Sequence, residues 1–489
     1  MAVKQEIIDQ YELIVGLEVH AQLLTKSKAF SSDRNEYGNL PNTNTSVISL
    51  GHPGTLPVLN ERSAEYAVRL GLACKAQIRE HNEFARKNYF YADLPKGYQI
   101  TQDTTPICNG GFIAIKTAEF GDKKVGLTRI HMEEDSGKSI HDISPFDTMI
   151  DLNRAGVPLL EIVSEPDMRS ADEAYAYLTE VRKLVRYLDI CDGNMEEGSM
   201  RCDANVSVRK KGSEVFGTRV EIKNLNSIRN VKRAIDFEFL RHIDVIENGG
   251  QIRKATLTFN ATTGETSEMR TKEEADDYRY FPEPDLQPLT ITQDYIEKVK
   301  AELPPLPSEL FEKYTGSFGL SEYEANVLTD DKDFALYFEE VVKSAKSAKS
   351  AANWMMGEVK GHINELAIDI TKFALKPAHI AELANLVEEG KMGRTLASQQ
   401  LFPLMLSSPD KTPAALAAEH DLVQVEDASE LEAWIEQAVA KFPDKVEEYR
   451  SGKKGILGLF MGEVMRLSKG KADPKITNQM IIKALENNA

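Results

Sequence analysis

Apolar and polar residues alternate strictly through YELIVGLEVHAQL, residues 11–23. Leu13, Val15, Leu17 and Val19 fall on one side of a pleated strand, and Ile14, Gly16, Glu18, His20 and Gln22 on the other. RCDANVSV, residues 201–208, repeats the pattern, with Arg201, Asp203, Asn205 and Ser207 opposite Cys202, Ala204, Val206 and Val208. One wall of such a sheet is polar. After the strand-like TRVEIKN the period changes to that of a helix, because Ile228, Val231, Ile235 and Phe239 share a stripe from Ser227 to about Ile246. Ser227 is placed to cap it and Gly249-Gly250 to stop it, which predicts a helix packed on a sheet.

Strands and turns with inserted helices continue to about Thr292. The run LPPLP, Leu303 to Pro307, then reads as a semi-rigid connector, since proline neither continues a helix nor donates to a ladder. Beyond it YEANVLTDDKDFALYFEEVV and SAKSAKSAANWMMGEVKGHINEL are helical in period and rich in helix formers. SSPDKTP breaks the helical pattern again near 406–413. The expected fold class is α+β in three parts, residues 1–295, 296–407 and 408–489.

Composition narrows the classes. A chain of 489 residues is long enough for about three cores. With 42% hydrophobic and 28% charged residues it has a globular balance, and no apolar run is long enough to span a bilayer. The N-terminus puts acids ahead of a short apolar run, unlike a secretory signal, so a cytoplasmic protein is expected. Cys74, Cys108, Cys191 and Cys202 form no pair with metal or disulfide-scaffold spacing. The net charge of -18 argues against indiscriminate polyanion binding. Residues 450–489 depart from it, with eight basic residues (among them Lys453, Lys454, Arg466, Lys469 and Lys471) against three acidic, a net +5.

Glu18 and His20 share the polar face of one strand, which suits a metal ion and equally a hydrogen-bonded pair in a polar cleft. In LTRIHMEED, Glu134 falls on the face of Ile130 and Met132, and in GVPLLEIVSEPD, Glu161 sits among Val157, Leu159, Leu160, Ile162 and Val163. Carboxylates in apolar strands need a cation or donors, either an ion pair with Arg129 or Arg154 or a hard divalent metal held by Glu18, His20, Glu134 and Glu161. Gly137-Lys138-Ser139 resembles the end of a phosphate loop, but Met132 stands where its first glycine belongs, so a Walker site is rejected. RKNYFYADLPKGYQITQ combines Arg86, Lys87 and Lys96 with Tyr89, Phe90, Tyr91 and Tyr98, fit either to stack bases and meet phosphate or to pack as an aromatic strand with basic ends. Glu196, Glu197, Arg201, Asp203 and Asn205 are a polar set fit to orient a carboxylate and phosphates, or a solvated sheet face. DDYRYFPEPDL, from Asp276, reads as an ordered loop. No nucleophile elbow or Ser-Ser-Lys amidase signature is present.

Taken together, GLEVH, PNTNTSVISLGHPGTLPVLN, RKNYFY, HMEEDSGKS, DLNRAGVPLLEIVSEPD, MEEGSMRCDANVS, EIKNLNS, DYRYFPEPD, ANWMMGEV and GLFMGEVMRLSKGKADP closely resemble, in order and spacing, the B subunits of the tRNA-dependent amidotransferases. The resemblance implies a cradle domain built on an antiparallel sheet, an all-α helical domain and a tail similar to the YqeY family that binds tRNA. It implies a ligase that forms a carbon–nitrogen bond with glutamine as nitrogen donor. ATP phosphorylates the side chain of Glu-tRNA(Gln) or Asp-tRNA(Asn), and ammonia then displaces phosphate. The implied partners are an amidase, the A subunit, which supplies the ammonia, and a small C subunit. The implied Mg2+ ligands are Glu18, His20, Glu134 and Glu161, with Lys87 bordering the site and the ammonia path. Arg201 and Asp203 are further catalytic expectations, and Arg86, Tyr89, Tyr91 and Asn205 are expected to contact substrate or phosphate. Many relatives carry a zinc knuckle of two cysteine pairs where this chain has Ser31 with Asp33 and Ser46 with Ser49. Serine is a poor zinc ligand, so no structural zinc is expected. The competing reading is a non-catalytic scaffold that only docks the charged tRNA.

Overall fold

The β-branched and leucine-rich face of residues 11–22 needs an apolar partner on one side only, and the first half of the chain is built around that requirement. The computed structural model describes residues 3–119, 121–141, 143–271, 278–423, 428–468 and 470–487. The strands that position the site are β1 (Tyr11–Gln22), β2 (Ala85–Asn88), β3 (Tyr98–Thr101), β4 (Gly121–Glu134), β5 (Pro158–Ser164), β6 (Met200–Lys210), β7 (Val220–Leu225), β8 (Ala255–Asn260) and β9 (Glu265–Thr271). Their order in the main sheet is β9-β8-β7-β6-β1-β5-β4, continued past β4 by two short strands at Cys108–Asn109 and Gln77–Ile78. Neighbours are antiparallel except β7 and β8, which run parallel. The expected antiparallel sheet is therefore mixed. The exception has a topological cause: a helix joins β7 to β8, and such a crossover returns the chain in the same direction.

Three helices, α1 (Glu61–Ala73), α2 (Ala171–Tyr187) and α3 (Ile228–Glu247), pack against the sheet. α3 begins at Ser227, whose side chain accepts from Asn230 N, and is followed by Gly249 at φ 76°. Leu13, Val15, Leu17 and Val19 of β1 join Ala174, Tyr177 and Val181 of α2 and Ala234 and Ile235 of α3 in one core. The opposite face of β1, β5 and β4 is left for polar groups. A second, three-stranded sheet pairs Phe281–Pro282 with β2 and β2 with β3.

The chain divides into two compact units at Leu306/Pro307, within the LPPLP connector. The helix Gln293–Ala301, which straddles the expected boundary at 295, buries Val299 in the core of the first unit. The second unit is helical throughout its described residues. The helix Pro413–Glu419 packs on the helices before the 406–413 break, whereas Leu431, Ile435, Phe460, Val464, Ile481 and Leu485 form a separate core at the chain's end. Among the described residues no helix is long and apolar enough to cross a membrane.

Ser31, Asp33, Ser46 and Ser49 are brought together by the loops after β1. Ser31 Oγ lies 3.2 Å from Ser49 Oγ, and Asp33 Oδ2 accepts from Ser46 N at 2.8 Å and from Ser49 Oγ. Burial works against the charge of Asp33, but these donors hold its carboxyl below the usual range. Hydrogen bonds thus tie the turns where four thiolates would hold zinc. Elemental analysis of the purified protein is expected to find far less than one zinc per chain, and Asp33→Ala to cost about 1–3 kcal/mol of stability in denaturant unfolding, the scale for stranding buried donors. Stoichiometric zinc would overturn the first expectation.

Candidate functional site

Pairing across four strands aligns the polar face in rows. His20 of β1 stands opposite Glu161 of β5 on one side and Arg201 of β6 on the other, and Glu161 stands opposite His131 of β4. The next row holds Asp203, Glu18, Val163 and Arg129, and the row on the other side holds Gln22, Leu159 and Glu133. Strand alternation points all of these to one side.

Two carboxylate groups result. His20, Glu133 and Glu161 have ligand atoms all within 4.8 Å of one another, and so do Glu18, Asp203 and Glu221. His20 Nε2 is 3.4 Å from Glu161 and 3.6 Å from Glu133, and His131 Nε2 is 3.3 Å from Glu161. Such separations are long for hydrogen bonds and close to the spacing of about 3 Å expected between adjacent ligands bound at about 2.1 Å around one octahedral ion. The donor set, imidazole with carboxylate oxygens, fits a hard divalent cation.

Charge on this face is finely opposed. Burial disfavours the ionised form of Glu161, but His131 and His20 hold its carboxyl well below the usual range. Burial likewise disfavours protonated His20, yet Glu161, Glu133 and Asp203 lift it to about 9. Glu18 moves the other way, pushed up by burial and by Glu161, with only the 2.8 Å bond from Asn205 Nδ2 opposing. Lys223 Nζ bonds Asp203 and lies 2.8 Å from Glu221. Asp135, buried at the end of β4, accepts from Arg201 Nη2 at 2.6 Å and Gln22 Nε2 at 2.9 Å and lies 3.6 Å from Arg154.

Lys87 of β2 faces the centre. Burial opposes its charge, but Glu133 and Glu161 more than offset it, and its ammonium lies 5.1 Å from the Tyr278 ring centroid. Tyr91, Tyr89, Tyr278 and Tyr280 form a ladder of edge-to-face contacts with centroids 5.8, 6.1 and 6.0 Å apart. Arg279, between two of these rings, sits at φ 45°, a left-handed conformation that strains a residue with a Cβ.

Two expected site residues stand elsewhere. Glu134 is not brought to His20 and Glu161, because successive residues of a strand point to opposite faces and Glu133 takes the site face. Glu134 points inward with Met132, where Lys96 Nζ and Ile100 N donate to Oε1. Arg86 is turned from the centre for the same reason as Lys87 is turned toward it. Its guanidinium makes a two-pronged pair with the buried Glu283 at 2.7 and 2.9 Å, reaches Asp285 at 3.1 Å and covers the Tyr98 ring at 4.2 Å. Glu18, His20, Glu161, Lys87, Tyr89, Arg201, Asp203 and Asn205 do share the polar face or its border. Tyr91 is exposed at the outer end of the ladder. Glu133, His131, Asp135, Glu221 and Lys223 join this region without having been singled out by their residue type; the period of two within LTRIHMEED and VEIKN is the signal that places them.

In the second unit Lys453 and Lys454 are exposed beside Glu448 and Glu486, Arg466 pairs with Glu463 at 2.7 Å, and Lys471 pairs with Asp421. The pairs of Lys453 and Lys454 are solvent-exposed and therefore weak, whereas Glu463 is buried and Lys471 half-buried. Lys469 lies outside the described residues, as do Asp276 and Asp277.

Comparison with known proteins agrees with this geometry. Residues 13–297 match the family described as GatB/GatE catalytic domain, and residues 336–485 match the GatB domain. The chain is 49% identical to a Chlorobium phaeobacteroides protein over 97% of its own length and 99% of the relative's, and 50% identical to one from Geotalea uraniireducens over the same shares. A Thermodesulfovibrio yellowstonii protein is 46% identical over 98% of this chain and the whole of the relative. All three are named as the B subunit of aspartyl/glutamyl-tRNA(Asn/Gln) amidotransferase.

Because Glu283 is fully buried against Arg86, Arg86→Leu would strand a carboxylate and is expected to cost about 3–5 kcal/mol. A fall in the melting temperature of the full chain checks this; an unchanged melt would show the pair to be dispensable.

Proposed function

The chain belongs to the GatB/GatE family, and we propose that it performs the ATP-dependent half of tRNA-dependent amidation. The side-chain carboxylate of Glu-tRNA(Gln) or Asp-tRNA(Asn) takes the γ-phosphoryl group of ATP, and ADP leaves. Ammonia then attacks the carbonyl carbon, the carbon–nitrogen bond forms, and phosphate departs with the electron pair and a proton. Activation is needed because oxide is a poor leaving group and phosphate a good one. The observation that carries this reading is the group of buried carboxylates and imidazoles on the open face of the sheet, which a tRNA-docking scaffold does not require.

His20, Glu133 and Glu161 would hold Mg2+, with Glu18 beside them on the same strand face. When bound, the ion supplies charge neutralisation to phosphoryl oxygens. Lys87 and Arg201 meet the anionic substrate from either side, Arg201 being aimed by Asp135 and Gln22. Asp203 and Asn205 set the positions of Lys223 and Glu18. Tyr89 and Tyr91 offer ring faces to the unpaired end of the RNA, and the basic tail residues Lys453, Lys454, Arg466 and Lys471 meet phosphates further along it. The relatives' designation as B subunits fits a multi-subunit enzyme. In this reading a separate amidase, the A subunit, releases the ammonia, and a small C subunit would complete a cytoplasmic heterotrimer.

In the reconstituted complex ATP hydrolysis should require the mischarged tRNA; its absence would favour the scaffold. Glu133→Gln is expected to lower amidation at least about a hundredfold while tRNA still binds, the scale for losing one preorganised electrostatic group. Full activity in that variant would remove Glu133 from the centre. Deleting residues 428–489 should weaken tRNA binding and flatten its dependence on salt, since cationic contacts to phosphate set that slope. Unchanged affinity would take the tail out of RNA recognition.

A further inference from the structure

The acids of the site face differ in what holds them. Glu18 has the Asn205 amide, Glu133 the Thr101 hydroxyl at 3.4 Å, and Asp203 and Glu221 the Lys223 ammonium. Glu161 is 8% exposed in the middle of β5, and its nearest partners among the described residues are two imidazoles, His20 Nε2 at 3.4 Å and His131 Nε2 at 3.3 Å, both on Oε2. Register places them, since in the row Arg201, His20, Glu161, His131 the acid stands between the two histidines. The histidines are not equivalent. His20 joins Glu133 and Glu161 in the group whose ligand atoms all lie within 4.8 Å of one another, and His131 does not. The His131 side chain is 4% exposed against 20% for His20, and its Nε2 is 4.0 Å from Glu133 Oε2. It backs the carboxylates from the protein side.

We propose that His131 is a positioning residue for the cation centre: it donates to Glu161 from behind and fixes the carboxylate in the orientation that receives the ion, without ligating the ion itself. The inference rests on the reading of the carboxylate group given above and assigns a residue to which that reading gives no role.

Three observations carry it. The first is a shortage of donors. A nitrogen that gives its lone pair to a metal carries no proton, so once His20 Nε2 serves an ion, the donor left to Glu161 is His131. The second is the tautomer. His131 Nδ1 is buried without a hydrogen-bond partner among the described residues, so a proton there would be an orphaned donor, whereas at Nε2 it meets Glu161. The contact of 3.3 Å stands at the long end of a hydrogen bond and is the shortest of those around these acids and imidazoles. The third is the fixed strand. Gln102 Oε1 accepts from Met132 N at 3.0 Å and from Ile107 N at 3.2 Å, which holds β4 one residue past His131. Stability alone gives no reason for the imidazole, because a buried pair of this kind can be replaced by apolar residues of similar volume at little or no cost.

The test uses the full chain and Mn2+, a paramagnetic stand-in for the hard divalent ion. Affinity is read by electron paramagnetic resonance and ligand nitrogens by its pulsed form. Wild-type chain should bind Mn2+ with one imidazole nitrogen coupled; two coupled imidazoles would make His131 a ligand and overturn the proposal without any variant. His131→Leu is expected to weaken Mn2+ about 10–100-fold, the scale for losing a partner of a ligand, with the single imidazole coupling kept. His131→Gln, whose amide can donate from the place of Nε2, should recover most of that loss. Melting of the metal-free variants checks that both fold. Unchanged Mn2+ affinity in folded His131→Leu overturns the proposal, as does equal loss in the two variants. No Mn2+ bound by the wild-type chain would overturn the carboxylate reading itself.

Discussion

Five carboxylates on one face of a sheet, Glu18, Glu133, Glu161, Asp203 and Glu221, repel one another in a poorly solvated place. The architecture of the first unit follows from holding them there. Burying such charges costs several kcal/mol apiece unless partners are supplied, and the structure supplies them by row: His20 and His131 to Glu161, Lys223 to Asp203 and Glu221, Asn205 to Glu18. The compensating stability comes from the reverse of the same strands. Val15, Leu17, Val19 and Ala21 are at most 1% exposed beneath the helices. Period-two alternation is what lets one strand serve both purposes, since each residue added to the core side brings one to the site side.

The compensation on the site face is incomplete in an informative way. The carboxyl of Glu18 is pushed up because one amide donor does not balance burial and three neighbouring acids. His20 is raised to about 9 because, after burial, the acids around it outweigh everything else. In both cases the surroundings demand more positive charge than the side chains provide. Asp135 shows the contrast. It is as deeply buried, but Arg201 and Arg154 hold it below the usual range. An acid with two guanidiniums is satisfied, whereas acids facing an imidazole across 3.4–3.6 Å still suit a cation.

The strands that build this face were legible in the sequence because their signal is local. β1 and β6 declare their two sides residue by residue, and so does the helix that follows Ser227. What stayed hidden depends on partners far along the chain. LTRIHMEED ends in three adjacent acids, Glu133, Glu134 and Asp135, and nothing within the segment says which of them face the site; Lys96 and Ile100, from the turn before β3 and from β3, meet Glu134 on the other side. RKNYF is equally ambiguous until Glu283, 197 residues away, claims Arg86 and so turns Lys87 to the centre. The parallel pairing of β7 with β8 depends on where a helix returns the chain, which periodicity does not encode.

A scaffold that merely docks a charged RNA end needs positive charge at its surface, such as the exposed Lys453, Lys454 and Arg466 of the second unit carry. It has no use for buried acids, which apolar residues of similar volume could replace with no loss, and often a gain, of stability. The first unit keeps them, spaces them at distances that suit shared coordination better than hydrogen bonds, and frames them with one lysine and one aimed arginine. That destabilising arrangement falls on a single open face, with Lys87 and the tyrosine ladder bordering it and Glu18 lining a cavity. In-line phosphoryl transfer needs donor and acceptor approaching from opposite sides of a neutralised centre. A sheet that gathers its acids and histidines on one open face suits such a centre, and simple docking gives no reason for it.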